Sequence, residues 1–217
     1  SEYLNIDLSG TAPEAVQTTA LPKSELTEPQ TAIIDKQKPM VALTFDDGPH
    51  YTVTPRILDI LQEHNARATF FVLGNRVDNF PNIIQREYSQ GHEIGSHSFS
   101  HPQITTLTSE EIEYQFAETE HRIQQYVPYT TKLIRPPYGQ ITQSLKDVLQ
   151  KTFVLWSIDT QDWKTRDKDA IVSEVLNNVK DGDIILMHDM YSTTADACEE
   201  LIPALIERGY QLVTVSE

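Results

Sequence analysis

From Met40 to the end of the chain, short apolar runs rich in β-branched and aromatic residues alternate with stretches of helical period. No other feature narrows the possible folds as much. The runs are 41–45, 68–73, 92–96, 132–135, 153–158, 183–187 and 210–215, and helix-period segments 54–64, 81–89, 109–126, 168–179 and 195–207 fall between most of them. Thr108-Ser-Glu-Glu, ahead of the third segment, has the form of a capping box, and Gly91, Gly182 and Gly209 follow helical runs where a left-handed C-cap is wanted. Seven strands alternating with helices imply parallel βαβ units. The pattern stops one step short of an eightfold repeat and has no glycine-rich phosphate loop after the first strand. It therefore predicts an α/β fold, a distorted (β/α) barrel of seven to eight mainly parallel strands, in preference to an open doubly wound sheet.

The length of 217 residues, with 39% hydrophobic and 23% charged, suits one sizeable core and not a disordered chain. Residues 1–38 mix Thr, Pro, Ser, Gln and acids without a period and read as a linker or N-terminal extension, leaving 39–217 as the folded domain. The start at Ser1 has neither the basic head nor the apolar middle of a signal peptide, and the chain reads as a processed or excised piece of a longer protein. No apolar stretch approaches the roughly 20 residues that span a bilayer. The formal charge is −15, and the first 36 residues, with six acids and two lysines, hold only −4 of it. A body this acidic argues against nucleic acid or anionic membrane as a partner, since gripping phosphates takes clustered Lys and Arg. The single cysteine, Cys198, excludes an intrachain disulfide and falls in a helix-period segment, where it is expected to be inert. No stripe for a partner helix stands out, so a monomer is expected.

Five polar islands punctuate this frame: Thr44-Phe-Asp-Asp-Gly-Pro49, His97-Ser-Phe-Ser-His101, Arg135-Pro-Pro-Tyr-Gly139, Asp159-Thr-Gln-Asp-Trp163 and Leu186-Met-His-Asp189. Each falls at or just beyond the carboxyl end of a predicted strand. In a parallel barrel that rim is where side chains from different strands converge on an active site.

Taken alone, Asp46-Asp47-Gly48-Pro49 serves equally well as a turn. Chemically, adjacent carboxylates at a strand end cannot both point the same way, so one can ligate a metal while its neighbour faces the water bound there. His97 and His101, four apart, would share a face on a helical turn with Cβ atoms roughly 5–6 Å apart, a spacing that can grip one ion. Two His and one Asp leave a coordination position open, as a catalytic site needs. Two prolines and a glycine stiffen Arg135–Gly139, which can hold a backbone N–H towards an oxyanion or simply turn the chain. Arg135 can pair with a carboxylate of the first island and orient it. Asp162-Trp163 and His188 form the last set, in which a nearby carboxylate would orient the imidazole and raise its pKa, as a general acid requires. His50, His64, His92 and His121 have no such setting and read as surface or packing residues.

Through these five islands, in order, residues 38–217 resemble the polysaccharide deacetylases with a NodB homology domain, carbohydrate esterase family four. The runs Val41-Ala-Leu-Thr-Phe-Asp-Asp-Gly-Pro49 and Ala68-Thr-Phe-Phe-Val-Leu-Gly74 are most similar to those of peptidoglycan N-acetylglucosamine deacetylases of Gram-positive bacteria. The resemblance implies a metal-dependent hydrolase that removes N-acetyl groups from N-acetylglucosamine residues of a β-1,4-linked polysaccharide, foremost peptidoglycan. The alternatives are a chitooligosaccharide deacetylase, an O-deacetylase of the acetyl xylan esterase type, and a non-catalytic, metal-stabilised sugar-binding module. It also implies a divalent ion, Zn2+ first and Co2+ or another next, held by Asp47, His97 and His101. By the same resemblance Asp46 is the general base, His188 the general acid, Arg135 the residue that orients Asp46, and Asp162 the one that tunes His188. The Tyr138 backbone N–H would be the oxyanion donor, and Trp163 and Leu186 would join Tyr138 in binding substrate, forming the pocket for the acetyl methyl. None of these positions departs from the family pattern. A wall substrate implies an extracellular or cell-surface location, with residues 1–38 as a tether or spacer.

Overall fold

The apolar run 41–45 becomes the central strand, where a segment is covered on both faces and both edges. The computed structural model describes residues 19–29 and 31–217. These form eight strands: β1 (Met40–Asp46), β2 (Thr69–Val72), β3 (Glu93–Ser96), β4 (Leu133–Ile134), β5 (Thr152–Phe153), β6 (Ile158–Asp159), β7 (Ile184–His188) and β8 (Gln211–Leu212). All pairings are parallel, in the spatial order β5-β4-β3-β2-β1-β7-β6, with β8 paired to the start of β1. β8 lies between the starts of β1 and β2, where Val213 N–H donates to Val41 O at 3.1 Å and Arg67 N–H to Leu212 O at 3.2 Å.

The expected distorted barrel is what the chain forms, and the reason lies in one short connection. In a flat sheet, six strand spacings of about 4.8 Å would set β5 and β6 about 29 Å apart. Only residues 154–157 join them, and that reach is at most about 18 Å. The sheet must therefore curl until its two edges approach. The run 153–158, expected to be a single strand, is thus two short strands on opposite edges. Between them the bonds change partner: Val154 N–H donates to Ile134 O at 2.8 Å, whereas Ser157 N–H donates to Ile184 O at 2.9 Å. Periodicity cannot reveal such a change of neighbour within one run.

The helices are α1 (Val53–Glu63), α2 (Gly74–Val77), α3 (Pro81–Ser89), α4 (Ser109–Tyr126), α5 (Gln143–Val148), α6 (Asp162–Thr165), α7 (Lys168–Asn178) and α8 (Ser192–Glu207). Ile57, Leu58 and Leu61 of α1 and Leu201, Ile202 and Leu205 of α8, at helical spacing, are fully buried in the core that also holds Leu43 and Phe45 of β1. Each such side chain contributes roughly 1.5–3 kcal/mol on burial. The capping box is present: Thr108 Oγ1 accepts from Glu111 N–H and Glu111 Oε2 accepts from Thr108 N–H. Gly91 and Gly209 end α3 and α8 with φ of 79° and 90°. Gly182 also has positive φ, 84°, but sits in the turn 180–183 ahead of β7 and not at the end of α7. The described part of the extension lies against the domain: Leu21 exchanges two hydrogen bonds with the Gln85 side chain of α3, and Asp35 two with that of Gln211 in β8. Residues 1–18 of that expected linker lie outside the described residues.

Candidate active site

The register of β1 against β7 sets the site. Asp46, the last residue of β1, lies directly opposite His188, the last of β7. The chain leaves β1 in a left-handed conformation at Asp47 (φ 73°), and the two adjacent carboxylates each bring an oxygen to His97 Nε2, at 3.6 Å from Asp46 and 3.5 Å from Asp47. Gly48 is required next: a Cβ there would overlap the buried Asp189 carboxylate, whose Oδ2 accepts from Thr54 Oγ1 at 2.5 Å. Arg76 of α2 holds the loop from below through Pro49 O at 3.0 Å. His50 fixes the loop's exit, its Nδ1 accepting the N–H groups of Thr52 and Val53 that open α1. Burial, reinforced by the Arg76 charge, lowers the His50 pKa to about 4, so the imidazole stays a neutral acceptor.

Asp47, His97 and His101 bring one ligand atom each within 4.8 Å of one another. His97 Nε2 and His101 Nε2 lie 3.5 and 3.6 Å from Asp47 Oδ1. The two histidines converge differently from the expected helical turn. His97 follows β3, and left-handed residues at Ser98 (φ 76°) and His101 (φ 58°) fold the intervening loop back. His97 Nδ1 donates to Arg135 O at 2.6 Å, leaving the Nε2 lone pair directed at the cluster. Burial pushes the His97 pKa down to about 3, which keeps that lone pair free of a proton.

These donors fit a divalent cation. Asp47 Oδ1 is buried and meets no hydrogen-bond donor, an orphaned acceptor that only a cation or an unseen donor would satisfy. One carboxylate oxygen and two imidazole nitrogens form a donor set that suits zinc and related ions.

Behind this cluster stands a fully buried arginine. Arg135 donates through Nη1 to Asp46 Oδ1 at 2.8 Å and Thr44 Oγ1 at 2.7 Å, through Nη2 to Leu155 O at 3.0 Å, and through Nε to Val154 O at 3.4 Å. Its guanidinium also lies 4.2 Å from the centre of the Phe71 ring. Burial raises the Asp46 pKa and outweighs the opposing pull of Arg135, so Asp46 is a stronger base than a surface aspartate.

Asp162, at the start of α6, performs the matching task for His188. Its Oδ1 accepts from His188 Nδ1 at 2.7 Å and from Trp163 N–H at 2.8 Å, while its Oδ2 accepts from His188 N–H and Thr194 Oγ1, both at 2.7 Å. Burial alone would raise its pKa, yet His188 and these bonds hold it below the usual carboxylate range. For His188, burial lowers the pKa, but the Asp162 charge and hydrogen bond, together with Asp47 and Asp46, push it up to about 10.

All of this opens into one pocket of about 150 Å³. Asp46, Asp47, His97, His101, Tyr138, Trp163, Leu186 and His188 line it, and Arg135 and Asp162 back it, so all ten residues singled out in the sequence meet at the carboxyl-end rim. Tyr138 is left-handed (φ 60°), about half exposed, and its ring stacks edge-on against His101 at 4.8 Å. Sequence reasoning missed Trp156, Asp159 and Tyr191 in the lining and Thr194 behind Asp162. Asp159 opens the fourth island and carried a usable signal. Trp156 lies on the edge-to-edge crossing, and Tyr191 and Thr194 follow the fifth island, where nothing local marks them. Cys198 is buried in α8, and burial raises its thiol pKa, consistent with an inert residue.

The polysaccharide deacetylase family model matches residues 34–154. A peptidoglycan-N-acetylmuramic acid deacetylase of Bacillus subtilis is 44% identical over 197 residues, covering 90% of this chain and 42% of that protein. A peptidoglycan-N-acetylglucosamine deacetylase of Listeria monocytogenes is 40% identical over 182 residues, covering 84% of this chain and 39% of that protein. The chain thus spans about two-fifths of the length of these relatives. The solved peptidoglycan deacetylase from Bacillus subtilis superposes with a TM-score of 0.83 at 45% identity, over 84% of this chain and 91% of that one.

Proposed function

Since the chain belongs to the polysaccharide deacetylase family, we propose that it hydrolyses the N-acetyl group of N-acetylglucosamine residues in peptidoglycan, releasing acetate and a free amine. The observation that carries this reading is the pairing of Asp46 and His188 across the β1–β7 register, with the Asp47–His97–His101 cluster in the same pocket. Residues 39–217 are the proposed catalytic unit, and the wall substrate places its action outside the cell.

Asp47, His97 and His101 would hold the divalent ion, zinc foremost, which supplies Lewis acidity to an acyl oxygen and acidity to a water. Asp46, oriented by Arg135, takes a proton from the attacking water. The tetrahedral carbon bears an oxyanion, which the Tyr138 backbone N–H meets as a donor. His188 Nε2 then gives its proton to the sugar nitrogen as the C–N bond breaks. That proton is essential, because an unprotonated amine leaves very poorly. Asp162 keeps Nδ1 engaged, so the proton delivered comes from the nitrogen facing the pocket. Trp163 and Leu186 enclose the acetyl methyl.

The test is acetate release from peptidoglycan and from N-acetylglucosamine oligomers by protein stripped with chelator and reloaded with zinc or cobalt. Metal-dependent release from either supports the reaction, and the sugar left with a free amine identifies the residue attacked. Release from acetylated xylan alone would replace the N-deacetylase reading with an esterase.

A further inference from the structure

Beside the pocket, one exposed guanidinium is pinned in place without an acid to neutralise it. Arg166 ends α6 in a left-handed conformation (φ 49°), its Nε donates to Trp163 O at 2.9 Å, and its guanidinium carbon lies 3.2 Å from the centre of the Tyr191 ring. Both Trp163 and Tyr191 line the pocket. The Tyr191 and His188 ring centres are 6.0 Å apart, so the two steps put the guanidinium no more than about 9 Å from the His188 imidazole.

The surroundings give this cation a use. Arg56, Arg67, Arg86 and Arg122 are each paired with an acid, whereas among the described residues Arg166 has no carboxylate within ion-pair distance. Its Nη groups make no hydrogen bond among the described residues. The pocket lining itself contains Asp46, Asp47 and Asp159 but no Lys or Arg. Those three aspartates face an incoming anionic polymer, and Arg166 stands as a fixed cation on the Trp163–Tyr191 side. The stack on Tyr191 and the bond to Trp163 hold the guanidinium plane still, leaving its outer fork free for bidentate contact with a planar carboxylate.

We propose that Arg166, held against Tyr191, is a subsite for a carboxylate on the sugar next to the one being deacetylated. The proposal rests on the deacetylase reading and deepens it. The fitting polymer is an acetamido glycan whose neighbouring sugar carries an acidic ether substituent of the lactyl type, in preference to a neutral glycan. The contact adds binding and leaves the chemistry at Asp46 and His188 untouched, so its effect belongs in KM.

The experiment uses a tetrasaccharide of alternating N-acetylglucosamine and N-acetylmuramic acid, with lactyl carboxyls either free or converted to amides. Acetate release and calorimetric binding are measured for the wild type, Arg166→Gln and Arg166→Lys, all metal-loaded. The wild type should prefer the free acid by roughly tenfold in kcat/KM, chiefly through KM, as a charge-assisted bidentate contact provides. Arg166→Gln should erase that preference and Arg166→Lys restore part of it. Added salt should shrink the wild-type preference. No preference in the wild type, or an equal loss on both glycans in Arg166→Gln, would overturn the subsite, the second result reducing Arg166 to a prop for Tyr191. A binding preference that Arg166→Gln abolishes, with no acetate released from either glycan, would uphold the subsite and sink the deacetylase reading instead.

Discussion

Asp46 and Asp47 are neighbours in sequence and opposites in setting. Asp46 ends a strand, faces a guanidinium at 2.8 Å and keeps a raised pKa; Asp47 leaves the strand left-handed and offers a bare oxygen to two imidazoles. The difference in setting is therefore made by backbone geometry, since the two side chains are chemically identical. Asp46→Asn should keep the Asp47–His97–His101 donors, and so bind metal as the wild type does. It should lose turnover by about 10²–10⁴, the usual contribution of a positioned base. Metal content by elemental analysis beside acetate release checks this, and full activity in the metal-loaded variant would remove Asp46 from the role of base.

At the scale of elements, the site depends on how β1 hands over to α1. Gly48 is packed so closely on Asp189 that a methyl group must displace one of them. Gly48→Ala should destabilise the protein by about 1–3 kcal/mol, as overpacking does, and a second change, Asp189→Ser, should relieve part of that. Urea unfolding of the two single variants and the double measures the coupling, which would be absent if the two sites were independent. Little of this handover was legible in the sequence. The strand ends and the five islands were legible, because apolar runs and turn residues are local signals. The contact between residues 48 and 189 was not, since it depends on which strands become neighbours. The same limit explains the run 153–158, whose two halves look alike and belong to opposite edges. It explains the His97–His101 loop as well: a spacing of four suits a helical turn, but left-handed residues reach the same end by another route.

Two properties belong to the whole molecule. The first is acid sensitivity. His92, between α3 and β3, is buried, accepts from Ala68 N–H through Nδ1, and has its pKa lowered to about 3, first by burial and then by Arg67 and Arg86. Between its unfolded value near 6.5 and its folded value, the unfolded chain binds the extra proton. Stability contributed by neutral His92 is therefore full above about pH 6.5 and falls as pH drops towards about 3. At pH 5 the loss is on the order of 2 kcal/mol. His92→Asn keeps an acceptor for Ala68 N–H, and its urea midpoint should fall less between pH 7 and pH 5 than that of the wild type. The second is metal linkage. An ion bound only by the folded state adds roughly 2.7 kcal/mol at one hundred times its dissociation constant. Chelation should therefore lower the melting temperature by about 5–10 °C for a chain of this size, while Asp47→Ala should melt at one temperature with or without chelator.

Arg135 carries a consequence beyond the charge it gives Asp46. Two of its bonds end on carbonyls of residues 154 and 155, in the short stretch where the curled sheet brings its margins together. The same guanidinium that holds Asp46 thus also pins the crossing segment. The bearing of that carboxylate and the path of the chain between the two margins hang on one side chain, so whatever loosens the crossing also loosens Asp46.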